Sequence, residues 1–365
     1  MNLKRRIIQL FKSSEAGYNI LLSVFYARQL RKIMKKPIKD IPDEVRADTI
    51  ANTWGKYYDI DPKWAQYYYT VNGIASPYYV PSAVWFGRIC RKLNRLTLFN
   101  YPAFQDKNYL DVFFADSVLC PKVFIRNING ELLDSKFNSL SFKEAVDICL
   151  QQDEVIIKPS VESKNARNIT FITMTNDIER DRINLESCFR EMKSDFIVQS
   201  VLKQHSRMAA LNPDSINTIR VLSLLWNGQV QILGALVRIG VKGIRVDNPA
   251  ASNGVSCVIA GDGTFTKFAY DKEWEPRTEL PNGIILEGYS IPSYFKVIEK
   301  VKSLHFKVPH ARLIGWDMSV SEEGEPMLIE ANLDYPEIYF HQLGDGPVFK
   351  DKALFDEILG YVTDN

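Results

Sequence analysis

Four stretches of this chain read as strand, tight turn, strand, and such hairpins limit its fold more than any other feature. "KVFIRNINGELLD" turns at Asn129-Gly130 and "NTIRVLSLLWNGQVQILGALVRIG" at Asn227-Gly228. "GVSCVIAGDGTFTKFAY" turns at Gly261-Asp262-Gly263, and "LIGWDMSVSEEGEPMLIEAN" turns near Gly324. Asn-Gly between apolar runs favours a two-residue hairpin, because both turn positions need positive φ and these residues tolerate it. Between the hairpins lie helical segments. "SFKEAVDICLQQ" starts with Ser141 and Glu144 spaced as a capping box, and "NDIERDRINLESCFREM" and residues 292–306 follow. "EVIIKPS", "NITFITM" and "DFIVQSVL" add short strands. Hairpins mixed with helices predict an α+β fold with antiparallel sheets rather than a doubly wound parallel one.

Upstream, residues 1–100 read as mostly helical and aromatic, with Pro37, Pro42, Pro62, Pro77 and Pro81 separating short segments. The expected organisation is a helical region over 1–100, a linker and smaller lobe over 101–202, and a larger lobe over 203–365. Composition excludes several classes. A formal net charge of +1 gives no general case for a nucleic-acid partner. Five scattered cysteines without CxxC spacing argue against a disulfide framework and for a reducing compartment. The four histidines lack HxxxH spacing, which argues against catalytic zinc. No secretory leader is visible, and "YNILLSVFY" is far short of the ~20 residues of a membrane span. These features predict a cytoplasmic protein. Residues 1–39 carry ten Lys or Arg against Glu15 alone. That stretch is either a solvated helical face or a peripheral contact with the inner, anionic face of the cytoplasmic membrane.

The last hairpin places acidic residues where a strand favours Val or Ile. A regular ladder about a turn centred between Glu323 and Gly324 sets Asp317 opposite Glu330, their Cβ atoms about 5 Å apart. Asn332, two residues on, shares their face. Like charges so placed destabilise a sheet and are relieved by pointing into water or by sharing a cation. Mg2+, or Mn2+ in its stead, suits this oxygen set, since it takes one or two carboxylates and leaves its other positions to water and phosphates. Cations at strand ends are the natural complement. Lys158 ends "EVIIK", and Lys107 opens an amphipathic helix in "FQDKNYLDVFF"; each is either a surface lysine or a phosphate partner. Arg238 ends one strand and Arg220 begins its neighbour, and a guanidinium offers phosphate two parallel hydrogen bonds. Regular pairing about Asn227-Gly228 places Arg238 opposite Asn217 and turns Arg220 to the other side of the sheet. Only a bulge or an irregular entry near Asn217 brings both to one site.

In chain order, "YVPSAVWFGRICRKLNR", "FQDKNYLDVFF", "VIIKPS", "IVQSVL", "NTIRVLSL", "VRIG", "VDN", "IGWD" and "LIEAN" resemble the ATP-grasp superfamily. Within it they resemble the sugar-transfer-associated group found with bacterial surface-polysaccharide genes. The resemblance implies an ATP site between two α+β lobes, with Lys107 and Lys158 on the phosphates. Gln199, Ser200, Val201 and Leu202 would form the hinge that reads adenine, Gln199 lying near its amino group. Arg220 and Arg238 would face the γ-phosphate and the acyl phosphate formed from it, and Asp317, Glu330 and Asn332 would carry magnesium. The sequence departs from the family at the lid after the strand lysine, which is usually glycine-rich and here reads "SVESKNARN". Either Ser160, Ser163, Lys164 or Arg167 replaces the missing backbone contacts, or the lid is weakened and turnover is slow or lost.

The implied activity is an ATP-dependent, ADP-forming carboxylate–amine ligase working through an acyl phosphate. It would join or amidate an amino acid or uronic acid in capsular or O-antigen biosynthesis, with small or sugar-linked carboxylates and amines as its partners. The loop "DNPAASNG" either faces substrate through Asp247, Asn248 and Asn253 or is an ordinary Asn/Gly/Pro surface loop. Two alternatives are a phosphotransferase acting on a sugar-like hydroxyl and a weakly active nucleotide-binding partner protein.

Overall fold

The computed structural model describes residues 38–94, 102–161, 168–246 and 254–364, with Gly17 and Val24 besides. Apart from Lys39, the cations of the basic N-terminal stretch lie outside the described residues. Among the described residues, no helix is long and apolar enough to cross a membrane.

Strands β1 (Val123–Ile128), β2 (Glu131–Leu133), β3 (Glu154–Pro159), β4 (Thr170–Thr173) and β5 (Phe196–Ser200) form a five-stranded sheet in the order β2-β1-β5-β3-β4. Every pairing in it is antiparallel. The Asn129-Gly130 turn forms as its composition requires, with φ of 53° and 93°. Helices Phe142–Leu150 and Ile178–Met192 pack on this sheet, closing a core around Ile125, Val155, Ile157, Cys149 and Phe189. The first helix starts with the expected capping box: the Ser141 hydroxyl accepts from the Glu144 N–H and the Glu144 carboxylate from the Ser141 N–H.

The second sheet has seven strands in the order β10-β9-β8-β7-β6-β11-β12, again antiparallel. They are β6 (Thr218–Trp226), β7 (Gln229–Ile239), β8 (Val255–Ile259), β9 (Phe265–Tyr270), β10 (Pro276–Arg277), β11 (Leu313–Val320) and β12 (Pro326–Asn332). Alternation along each strand splits the apolar residues between two cores. Ile219, Val221, Val237, Ile314 and Trp316 face helix Tyr294–His305. Leu222, Leu224, Leu236 and Leu313 face the opposite way, into a core shared with the N-terminal helices Ala47–Trp54 and Lys63–Asn72, the helical run 82–93 and the C-terminal helix Lys352–Asp364. The helical N-terminal region is thus the cover for one face of the larger sheet.

Asn94, fully buried at the end of that helical run, ties the cover to the sheet. Its amide donates to the carbonyls of Leu313 (2.6 Å) and Leu333 (2.5 Å), and its Oδ1 accepts from the Leu313 N–H (2.8 Å). One carboxamide therefore satisfies backbone groups at the entry to β11 and the exit from β12, where burial without a partner would cost about 1–3 kcal/mol each.

Two bulges set which side chains share the covered face. Near the turn, β11 and β12 pair Val320↔Pro326 and Met318↔Leu328, one residue out of step with the ladder expected from a Glu323-Gly324 centre. Ile329 is the extra residue that corrects the step, so Asp317 still falls opposite Glu330. Between β6 and β7, pairing is regular from Trp226↔Gln229 to Ser223↔Ile232 and resumes at Leu222↔Gly234, with Leu233 extra. Arg238 therefore lies opposite Thr218, not Asn217, and Arg220 lies opposite Leu236. This corrects the regular register: the bulge turns Arg220 and Arg238 to the same face.

Candidate active site

Asp317 pairs directly with Arg220 on one side and with Glu330 on the other. Arg220, Asp317 and Glu330 consequently stand in a row across β6, β11 and β12, and Arg238, two residues along β7 from the partner of Arg220, joins them on the same face. They occupy the polar end of the face whose remainder carries Leu222 and Leu224. Gly315, two residues before Asp317, is a necessary gap in this row. A Cβ there would lie 3.0 Å from the Pro336 ring and 3.5 Å from Arg220 Cδ, in the space the arginine stem uses.

The row is the floor of a cleft of about 1000 Å3 between the two sheets. The smaller sheet supplies the opposite wall through Ile156, Lys158, Phe171 and Gln199, with Val201 and Leu202 beyond the end of β5. Arg245, which the sequence reading did not single out, bridges the rim. Its guanidinium pairs with Glu154 on β3 (2.5 and 3.1 Å) and stacks over Phe171 on β4 at 3.9 Å.

Opposite charges on the cleft floor are already paired. Arg220 grips Asp317 through Nε and through Nη2 (2.9 Å), Arg238 Nη2 adds a bond of 3.1 Å, and Asn332 donates to the same carboxylate at 3.3 Å. Burial alone would raise the Asp317 pKa, but the two guanidiniums outweigh it and hold the carboxyl below its ordinary range. Lys107 Nζ donates to Glu330 Oε1 at 2.9 Å. Lys107 begins a short 3-10 turn, Lys107–Tyr109, rather than the expected amphipathic α-helix; the α-helix itself is only Leu110–Phe114. Asp106 caps the turn by accepting from the Asn108 N–H, and the Lys107 N–H binds the Ser160 carbonyl (3.0 Å), fixing the lysine over the floor. Lys158 is 9% exposed. Burial first, and repulsion from Lys107 second, lower its pKa to about 8 against the opposing pull of Glu330.

Of the residues expected at the site, Lys107, Lys158, Gln199, Ser200, Val201, Leu202, Arg220, Arg238, Asp317, Glu330 and Asn332 line this one cleft. The Gln199 side chain is buried and its Oε1 has no hydrogen-bond partner among the described residues, so it is an acceptor open to a ligand beside β3. Ser200 points its hydroxyl back at β1, accepting from the Lys122 N–H. Ser160 is fully buried behind Lys107, outside the cleft wall, with an unpartnered hydroxyl. Ser163, Lys164 and Arg167, and likewise Asp247, Asn248 and Asn253, lie outside the described residues. Glu337 is a wall residue that the sequence reading missed. Its only signal is a single carboxylate inside the otherwise apolar and aromatic "YPEIYF".

The donor set fits a hard divalent cation: two carboxylates on paired strands and a carboxamide two residues on, all oxygen donors. Among the described residues no group of three His, Cys, Asp or Glu is close enough to bind a metal without other ligands. An ion here would need ligands from the bound substrate or water, as Mg2+ commonly takes.

The sequence matches the family described as "Sugar-transfer associated ATP-grasp" over residues 89–355. No curated protein matches it. Among solved structures, D-alanyl-alanine synthetase A from Vibrio cholerae O1 biovar eltor is similar at a TM-score of 0.44 and 12% identity, covering 72% of this chain and 66% of that one. VanG D-Ala:D-Ser ligase from Enterococcus faecalis is similar at a TM-score of 0.42 and 10% identity, covering 71% and 61%. L-amino acid ligase from Bacillus licheniformis is similar at 0.37 and 11%, covering 87% and 62%. This chain spans about two thirds or less of the length of each.

Proposed function

The chain belongs to the sugar-transfer-associated ATP-grasp family, and from that premise we propose that it is an ADP-forming ligase that joins a carboxylate to an amine through an acyl phosphate. The observation that carries this reading is the cluster of Arg238, Arg220, Asp317 and Glu330 on one sheet face, sharing one cleft with Lys107 and Lys158.

A carboxylate is a poor electrophile, and exchanging its oxygen for phosphate makes displacement by nitrogen feasible. Phosphoryl transfer asks the protein mainly for position and charge neutralisation. Arg220 and Arg238, planar and permanently charged, hold the transferring phosphoryl group. Lys107 and Lys158 hold the phosphates beside it, and the buried Gln199 with the Ser200–Leu202 backbone receives the adenine. Asp317, Glu330 and Asn332 would hold magnesium, which when bound would neutralise charge on the phosphates. In the described arrangement Arg220, Arg238 and Lys107 instead neutralise Asp317 and Glu330. With nucleotide and metal bound, Asp317 and Glu330 would exchange these partners for the cation while Arg220, Arg238 and Lys107 would take the phosphates, so that no buried charge is left alone. The acceptor is an amino acid or a uronic acid, free or sugar-linked, in surface-polysaccharide biosynthesis in the cytoplasm. Asp247, Asn248 and Asn253 belong to the substrate loop of this reading.

Hydroxylamine trapping tests the reaction. Incubation with ATP, Mg2+ and a panel of uronic and amino acids should give a hydroxamate with at least one acid, together with ADP. ADP release with a phosphorylated sugar and no hydroxamate would instead identify a phosphotransferase.

Lys158 predicts a proton signature. With a pKa near 8 in the free protein it is half neutral at pH 8, and a bound polyphosphate favours the charged form. Nucleotide binding should then take up roughly half a proton at pH 8 and weaken as pH rises further. The stability sign runs the other way. The unfolded lysine holds its proton up to its ordinary value of 10.5, so the cost of burying the charge fades, and stability rises, as pH increases from about 8 to 10.5. Calorimetry in two buffers of different ionisation heat measures the uptake, which Lys158→Met should abolish.

A further inference from the structure

Beyond Asp317 and Glu330 the cleft's acidic lining comprises Asp214, Asp334 and Glu337, and the phosphate clamp gives Glu337 no task. Glu337 lines the same cleft as Arg220 and Arg238, in the chain that follows β12. The charged or titratable groups acting on it are Arg220 and Arg238 from the sheet and the hydroxyls of Tyr339 and Tyr68. Its Oε1 accepts from the Phe340 N–H at 2.8 Å, which fixes the carboxyl in place. Around it the cleft is aromatic, with Tyr339 beside it and Phe86 edge-on to Tyr335 at a ring separation of 6.2 Å. A fixed carboxyl among aromatic side chains, next to the arginines assigned to the acyl phosphate, is the complement of an ammonium group approaching the activated carbon.

We infer that Glu337 binds the incoming amine and takes a proton from it. The inference rests on the ligase reading above. An ammonium cannot attack, because its nitrogen has no lone pair. Glu337 accepts one proton and the freed lone pair forms the C–N bond. The C–O bond to phosphate breaks with its electron pair on the phosphate oxygen, and the second nitrogen proton leaves with that phosphate. Amide, hydrogen phosphate and a protonated Glu337 account for every atom and charge. Burial raises the Glu337 pKa to about 7, with the Phe340 N–H and the two arginines opposing. That value suits a base working near neutral pH.

The test separates nucleophiles that need a base from one that does not. Hydroxylamine is largely unprotonated at neutral pH, whereas glycine, L-alanine, L-lysine and ammonium are not. With the carboxylate identified by trapping, Glu337→Gln keeps the acceptor for Phe340 N–H and should keep hydroxamate formation within about twofold of the unaltered protein. Amide formation with the panel amines should fall about 100-fold, the usual contribution of a positioned base. Glu337→Asp should recover part of it. Equal loss with hydroxylamine and amines, or no loss with either, overturns the inference. Hydroxamate without amide from any panel amine, in the unaltered protein, also overturns it by removing the amine. Absence of any hydroxamate overturns the ligase reading itself, and this inference with it.

Discussion

Asp317→Ala should abolish turnover and lower the free energy of unfolding by about 3–5 kcal/mol, the cost of leaving buried charges without their partner. Asp317 is 3% exposed at the side chain and Arg220 only 9%, so neither can turn to water when the other is removed. Arg238 and Asn332 lose the same acceptor. Urea denaturation reads the stability loss and ADP release reads the turnover. The two losses have different origins, and Asp317→Asn separates them. The amide keeps an oxygen for Arg220 and so recovers part of the stability, but it supplies no negative charge for a cation and should remain inactive. The contribution also has a definite pH sense. The folded pKa is depressed, so stabilisation is complete above the unfolded value of 3.8 and is lost as pH falls through the folded value.

Arg238→Ala should lower kcat by about 10²–10³ while leaving KM and stability far less changed, because removing one preorganised donor from a transition state has that size of effect. Arg220 keeps Asp317 paired in this variant, and Arg238 is the more exposed of the two arginines, at 20% against 9%. Arg238→Lys should not restore the rate, since a point charge lacks the planar fork. Steady-state kinetics with the carboxylate found by trapping checks both statements. A rise in KM with unchanged kcat would mean that Arg238 binds ground-state substrate only.

The hairpins and their helices were legible in the chain because the Asn-Gly turns, the capping box and the two-residue alternation are local signals, and local physics formed them. Register was not. Leu233 and Ile329 are apolar residues in apolar strands, and nothing about either marks it as the unpaired residue of a bulge. Yet a one-residue step decides which face a side chain occupies. Arg220 and Arg238 could be brought together only by assuming the irregularity that the structure contains. The pairing of Asp317 with Glu330 matches the expected ladder although the register near the turn is one residue out of step with it. The match of Lys107 with Glu330 joins residues 223 apart and depends on how the lobes face each other, which no periodicity encodes. Glu337 was overlooked for a related reason. It follows β12 in irregular chain, where neither helical nor strand spacing assigns a face.

The account depends on a divalent ion, held by Asp317 and Glu330, fastening a polyphosphate against Lys107, Lys158, Arg220 and Arg238. Calorimetric titration of ADP into the protein, with and without Mg2+, tests this most directly when repeated on Glu330→Gln. The account predicts that Mg2+ tightens ADP binding at least about tenfold, about 1.4 kcal/mol, in the unaltered protein and much less in Glu330→Gln. Equal ADP affinity with and without Mg2+ in the unaltered protein, or the same Mg2+ effect in both proteins, would contradict it.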